Sequence, residues 1–291
     1  MIHPITFSIP LEKVIEEIPV KTKILSDLIP GNLSTYIYQT ETEYYNEYKK
    51  SYFAITTKKA GWDCMRHYEI IANGCVPYFP DIESCPPLTM ALLPKDLIIE
   101  GNSLYKRFLA SGLTPENISA HTDLTNRFLK YTRDNLTTHR MAEYVLDKVG
   151  VKAKKILFLS GSIYPDYLRC VTLNGFKSLL GSACHDYPKV PHIYKLSTGY
   201  SNLYGKGITY TNLLDHGLHD DSLDIDIETS IKNRKFHLII YGSYHRGMPF
   251  FDLVNQFYMP NEIVMLCGED IHDCNYMDYV KRGYSLFVRE L

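Results

Sequence analysis

Long apolar runs are missing from this chain of 291 residues. No window of about 18 consecutive apolar residues exists, which excludes an ordinary membrane-spanning helix. The opening, Met1 to Pro10, has neither the charged nor the apolar region of a secretory signal, so a cytoplasmic protein is expected. An excess of positive charge is also missing. With 31 basic and 33 acidic residues the net charge is -2, too little basic surface for non-specific nucleic-acid binding. The seven cysteines are not grouped in pairs and are expected as reduced thiols. Cys267, His272 and Cys274 lack the second cysteine pair of a zinc motif, so no metal ligand is assigned. The glycine fingerprint of dinucleotide folds is absent too. Tyr204-Gly-Lys-Gly207 has only two of its glycines and follows no strong strand. No Asp-x-Asp pair follows a strand; Asp224-Ile-Asp226 comes nearest and reads as a helix start.

What remains is an ordinary globular composition. Hydrophobic residues make up 45% of the chain, enough for two cores, and the length suits about two domains. The 24 tyrosines are expected mainly as half-buried packing, though some could stack on sugars or bases. Strand-like and helix-like segments alternate. Strands are expected at residues 5–8, 35–38, 52–55, 76–79, 156–159, 183–186, 237–241, 262–267 and 284–288. Helices are expected at residues 41–50, 64–73, 167–180, 225–233 and 250–257, with one or two more between residues 123 and 147. Such alternation predicts an α/β fold with parallel sheets, two Rossmann-like domains divided at residues 147/148. Residues 148–154 would be the exposed linker. In open α/β sheets ligands sit beyond the carboxyl ends of strands, so the loops there carry the chemistry.

Residues 51–81 are the richest of these stretches. A strand ends at Ile55, a polar loop holds Lys58, Lys59 and Gly61, and a helix opens near Asp63. Arg66 and Glu69 stand three apart on one helix face. A helix N-terminus carries unsatisfied N–H groups and a positive dipole, which attract phosphate. Lys58, Lys59 and Arg66 would add cations for a diphosphate, and Glu69 could accept two hydrogen bonds from a ribose diol. The plainer alternative makes Arg66 and Glu69 a surface ion pair, Asp63 an N-cap, and His67 and Tyr68 helix packing.

Arg66-His-Tyr-Glu69 followed by Gly74-Cys-Val-Pro77 resembles the donor-binding motif of GT-B glycosyltransferases, and is similar to that of the exostosin-like group. The resemblance implies that Arg66 binds the diphosphate and Glu69 the ribose, with a UDP-sugar as the preferred donor. The second half also resembles glycosyltransferases of bacteria and large algal viruses. The matching pieces are Leu157-Phe-Leu-Ser-Gly-Ser-Ile-Tyr-Pro-Asp-Tyr-Leu, Leu203-Tyr-Gly-Lys-Gly-Ile-Thr-Tyr-Thr, Ile240-Tyr-Gly-Ser-Tyr-His-Arg-Gly and Leu266-Cys-Gly-Glu-Asp-Ile-His. The implied fold is GT-B-like, two Rossmann-like domains around a cleft, needing no metal for the diphosphate. In such enzymes the acceptor domain comes first; here the donor-like motif does. A circular permutation is therefore expected, with residues 1–147 binding the donor, residues 148–291 on the acceptor side, and Met1 close to Leu291 at the domain junction.

An inverting transfer needs a base for the acceptor hydroxyl. Asp166, after the strand at 156–159, is the first candidate, with a helix N-cap as its equal alternative. His245 is the second, and Glu269 and Asp270 are reserves; Arg246 could bind phosphate or an acidic sugar. The expected partners are a nucleotide-sugar donor and a glycan or glycoprotein acceptor, with neither nucleic acid nor membrane. The rival readings are a Rossmann-type NAD oxidoreductase, disfavoured by the absent fingerprint, and a non-catalytic glycan-binding protein.

Overall fold

The computed structural model describes residues 1–195, 203–270 and 274–291. The chain divides into two compact units: residues 6–137, and residues 1–5 together with 138–291.

In the first unit, β2 (Lys23–Leu25), α1 (Glu41–Lys50), β3 (Ser51–Ile55), α2 (Met65–Ala72) and β4 (Val76–Tyr78) are followed by α3 (Lys95–Ser111) and α4 (Pro115–Tyr131). The three strands form a parallel sheet in the order β2-β3-β4. Helix α1 starts where Thr40 and Glu43 close a reciprocal capping box. It buries Tyr44, Tyr45 and Tyr48, so these tyrosines pack rather than offer stacking faces. Phe53 of β3 packs against Tyr105, Phe108 and His121 from α3 and α4. The expected strand at 35–38 does not form; Leu33–Thr35 is a short 3-10 turn begun by Asn32, whose side chain accepts from the Ser34 N–H.

The second unit contains β1 (Ile2–Pro4), α5 (Thr138–Val149), β5 (Ile156–Leu159), α6 (Tyr167–Leu180), β6 (Cys184–Tyr187), α7 (Asp221–Ile225), α8 (Ile227–Lys232), β7 (Leu238–Tyr241), α9 (Phe251–Phe257), β8 (Ile263–Cys267), α10 (Tyr276–Lys281) and β9 (Ser285–Val288). Six strands form one parallel sheet in the order β1-β9-β8-β7-β5-β6. Its central strands are apolar along their whole length because both faces are covered. Leu157, Leu159, Ile239, Ile263, Met265 and Leu286 join Ile227, Ile231, Val254 and Tyr258 in one core cluster. Phe158, on the opposite face, meets Phe176 of α6. The α/β expectation with parallel strands therefore holds in both units.

The division between units differs from the expected one at residues 147/148. Helix α5 packs on α6 so closely that a Cβ on Gly175 would stand 2.0 Å from the Thr138 carbonyl oxygen. Thr138 also donates to Asn174 Oδ1 at 2.7 Å. This contact draws residues 138–147 into the second unit, and makes 148–154 a loop inside it rather than a linker. The expected strand at 5–8 is displaced to Ile2–Pro4, whose Ile2 lies opposite Leu286 of β9. The chain's first strand thus belongs to the sheet of the second unit. Because β1 and β9 are parallel, Met1 stands at the start of the strand pair and Leu291 beyond its far end, so the two are neighbours in sheet position but not adjacent. A plain exchange of two halves at residue 147 does not describe this layout.

The close approach of α5 and α6 gives a direct test. Gly175→Ala is expected to cost about 1–3 kcal/mol of stability by overpacking. It should appear as a lower urea midpoint with an unchanged slope. An unchanged midpoint would mean that the Thr138 contact does not hold α5 in place.

Candidate functional site

Two groups of polar side chains follow strand ends, one in each unit. In the first unit, β3 ends at Ile55 and α2 begins at Met65. The intervening loop is tied down by Arg66 and His67. Arg66 Nε donates to Thr56 Oγ1 at 2.9 Å, and Nη2 to the Thr57 carbonyl at 3.0 Å. His67 Nε2 lies 2.8 Å from the Trp62 carbonyl, which only accepts, so Nε2 carries the proton. Nδ1 then accepts from Thr56 Oγ1 at 2.9 Å. The resulting relay, guanidinium to hydroxyl to imidazole to carbonyl, fixes the loop's shape. Arg66 is buried, at 7% exposure, and Glu69 at 5%, so the alternative of a surface ion pair does not describe them. Glu69 Oε2 accepts from the Tyr44 hydroxyl at 2.8 Å. Tyr44 is paired in turn with Tyr48. Burial pushes both phenols well above their ordinary pKa, with the Glu69 carboxylate adding to it, so both stay protonated as donors.

Asp63 is not an N-cap. The helix begins two residues later, and the Asp63 carboxylate instead accepts from the Phe7 N–H and the Tyr68 hydroxyl at 2.8 and 2.9 Å. The N-cap position is Cys64, which supplies no side-chain cap. The first turn of α2 therefore keeps the donor character that draws anions. Lys58 and Lys59 are exposed, with Lys58 Nζ 5.1 Å from the Trp62 ring centroid, and Gly61 is buried between them and the helix.

In the second unit the strands in chain order, β5 to β9, are arranged 2-1-3-4-5, with β1 added outside β9. The order reverses between β5 and β7, and the crevice at such a switch point is where doubly wound sheets bind ligands. The loops after β5, β7 and β8 meet there. Gly161 lies so near the loop after β7 that an added Cβ would be 2.3 Å from the Gly247 carbonyl oxygen. Asp166 caps α6, accepting from the Arg169 N–H at 2.9 Å. Its other oxygen accepts from Ser243 Oγ at 2.7 Å and lies 3.0 Å from Arg246 Nε. Burial would raise the Asp166 pKa, but Arg169, the cap bond, Ser243 and Arg246 together hold it below the usual carboxylate range. Glu269 Oε1 stands 2.8 Å from His245 Nε2 and 3.6 Å from Arg246 Nη2. Asp166, His245, Arg246 and Glu269 are thus one group. Asp270 lies further along the rim, paired with Arg289.

Several participants carried no signal in the sequence. Arg169 is fully buried and donates to the carbonyls of Ser162 and Tyr164, clamping the loop after β5. Arg289 does the same for the loop after β8, donating to the Gly268 carbonyl at 2.9 Å. Both look like ordinary helix or strand residues in sequence; the spacing of Arg169 three after Asp166 was the one available hint. Cys267 and Cys274 bring their sulfurs to 2.8 Å beside His245. The neighbouring Cys274 thiol draws Cys267 down to about 5 against the effect of burial, and His245 adds to it. His272, considered with these cysteines, lies outside the described residues. Elsewhere, Lys177, fully buried, pairs with Asp186 at 2.7 Å; Asp186 and Asp224 hold His219, and Asp224 holds His185. Burial opposes ionisation of Asp186, yet His219 and Lys177 bring it down to about 2. Asp224 therefore joins the two histidines of this polar network.

No helix of the described residues is long and apolar enough to cross a membrane. Asp166→Ala removes a helix cap and is expected to cost about 1–2 kcal/mol. Because the folded-state pKa is lowered, this stabilisation is present above the ordinary Asp pKa and is lost as pH falls through the depressed value. Denaturation midpoints of wild type and variant should therefore converge in acid; a constant gap down to the lowest pH would show that the charge of Asp166 does not act. Compared with family models, curated proteins and solved structures, the chain matches none.

Proposed function

We propose that the chain is a glycosyltransferase of GT-B type, moving a sugar from a nucleotide diphosphate, by preference UDP, to a glycan hydroxyl. The carrying observation is the start of α2. A guanidinium held rigidly by Thr56 and Thr57 sits in the first turn of a helix without a side-chain cap, and an acidic residue stands one turn on. Two of Arg66's five N–H donors hold the loop, and the others suit phosphate oxygens. Departure of the nucleotide diphosphate is the step that builds negative charge. A buried, preoriented cation and a helix N-terminus stabilise that charge without reorganising. Lys58 and Lys59 extend the positive potential outward. Glu69, anchored by Tyr44, takes the ribose diol. Charge neutralisation by side chains and the helix N-terminus makes a divalent cation dispensable for donor binding.

The acceptor belongs to the switch point of the six-stranded sheet. Asp166 is poorly suited as the base there. Its proton affinity is lowered, and both of its oxygens are engaged by the cap and by Ser243. Glu269, beside His245 and more accessible, is the carboxylate that takes the acceptor proton.

Calorimetric titration with UDP, GDP and NAD tests the donor site. Wild type should bind UDP with the same affinity with or without magnesium or manganese, and should not bind NAD. Arg66→Ala should weaken UDP by about 1.5–3 kcal/mol, roughly 10- to 150-fold. Glu69→Ala should weaken UDP while leaving pyrophosphate binding unchanged. Normal UDP affinity in both variants would place the donor site elsewhere. For the acceptor side, Glu269→Gln should reduce turnover about 100-fold or more with UDP affinity preserved. Turnover at the wild-type rate would remove Glu269 from the reaction.

A further inference from the structure

Three side chains with soft donor atoms meet at the carboxyl edge of the six-stranded sheet. Cys267 is the last residue of β8, Cys274 follows it by seven residues, and His245 stands in the loop after β7. One donor atom from each lies within 4.8 Å of the other two. The two sulfurs are only 2.8 Å apart, inside the 3.5–4.0 Å or so of ordinary non-bonded heavy-atom contact.

The rest of the cluster is arranged as a coordination shell would be. Cys267 is 2% exposed and fixed by a central strand. Cys274 is positioned through its backbone, whose carbonyl accepts from the Tyr244 hydroxyl at 2.9 Å. Tyr244 precedes His245, so one loop supplies a ligand and also places another. An imidazole has two nitrogens, and Glu269 Oε1 stands 2.8 Å from one of them. A carboxylate beside the imidazole is the usual partner that orients a metal-binding histidine and raises its basicity. The other histidine–carboxylate group of this unit differs. There His185 and His219 face Asp224 oxygens at 2.8 and 3.1 Å, and His219 also faces Asp186 at 3.0 Å, so carboxylates stand where this cluster has sulfurs.

We propose that His245, Cys267 and Cys274 bind a zinc ion. Two thiolates and an imidazole are the donor set of a borderline-soft cation and do not suit magnesium, calcium or manganese. Zinc–sulfur bonds of about 2.3 Å in a tetrahedron separate two sulfurs by roughly 3.8 Å, so the pair opens by about 1 Å on binding. Each thiol releases a proton to solvent as it becomes a ligand. The ion joins the loops after β7 and β8 at the edge where the switch point lies. It is separate from the diphosphate site in the other unit; it shares Glu269 with the acceptor side of the transferase reading, but zinc content and affinity are read without any transfer reaction.

The test is the metal content of the full chain, purified without chelator and dialysed against trace zinc. About one zinc per chain is expected by elemental analysis. Replacement by cobalt(II) should give thiolate-to-cobalt charge-transfer absorption. Cys274→Ser and His245→Ala should each lower zinc affinity at least 10-fold in a competition assay with a colorimetric chelator. Cys64→Ser, which changes a thiol in the other unit, should leave it unaltered. Metal-free protein with both thiols titratable overturns the proposal. So does a Cys267–Cys274 disulfide, seen as the loss of two hydrogens in the intact mass with no zinc bound. Zinc retained equally by all three variants overturns it as well, since the ion would then sit elsewhere.

Discussion

The carboxylate of Asp166 is the tie on which the carboxyl edge of the six-stranded sheet depends. One oxygen caps α6, and the other reaches the loop after β7 through Ser243 and Arg246. Such a group is costly to bury alone, and its position is acceptable only because four partners hold its charge. Those partners come from two chain segments roughly 80 residues apart, so the carboxylate forces the loops after β5 and β7 to meet. Arg169 and Arg289 complete the arrangement by donating to loop carbonyls, Arg169 to those of Ser162 and Tyr164 and Arg289 to that of Gly268.

The same logic shapes the other unit at smaller scale. Arg66 and His67, neighbours on α2, grip the loop after β3 through Thr56, Thr57 and the Trp62 carbonyl. The helix start is left without a side-chain cap, and the cation next to it is held still. The cation is thereby oriented by folding itself. Tyr44 performs the equivalent service for Glu69. The abundance of tyrosine is thereby explained in part: Tyr44 and Tyr48 fill the core with their rings, Tyr44's hydroxyl satisfies the buried Glu69 carboxylate, and Tyr48's hydroxyl pairs with Tyr44's.

Parallel sheets buried on both faces send polar groups to one place. Side chains along β5, β7 and β8 are apolar up to their last residues because helices cover them, and charged residues stand where the strands end. Asp166, His245, Arg246, Cys267, Glu269 and Arg289 are all at or just beyond such ends. The concentration of chemistry there follows from the layer architecture, before any particular reaction is considered.

Period and composition were enough to place most elements, because a strand buried on both faces or a capped amphipathic helix announces itself locally. Ile156–Leu159, Tyr167–Leu180 and Glu41–Lys50 are read from the chain without error. Attention to the loops after the strands brought Asp166, His245, Arg246 and Glu269 into view, and the structure places them in one group. Local signals failed where long-range contact decided the outcome. The helix at 138–149 joins the second unit because Gly175 admits it, and residues 2–4 pair with a strand more than 280 positions away. Asp63 has an N-cap's sequence position but serves Phe7 and Tyr68 instead. The meeting of His245 with Cys267 and Cys274 was equally hidden. Metal-ligand spacing is a property of nearby residues, whereas 22 positions separate His245 from Cys267, and only the side-by-side packing of β7 and β8 brings them within reach.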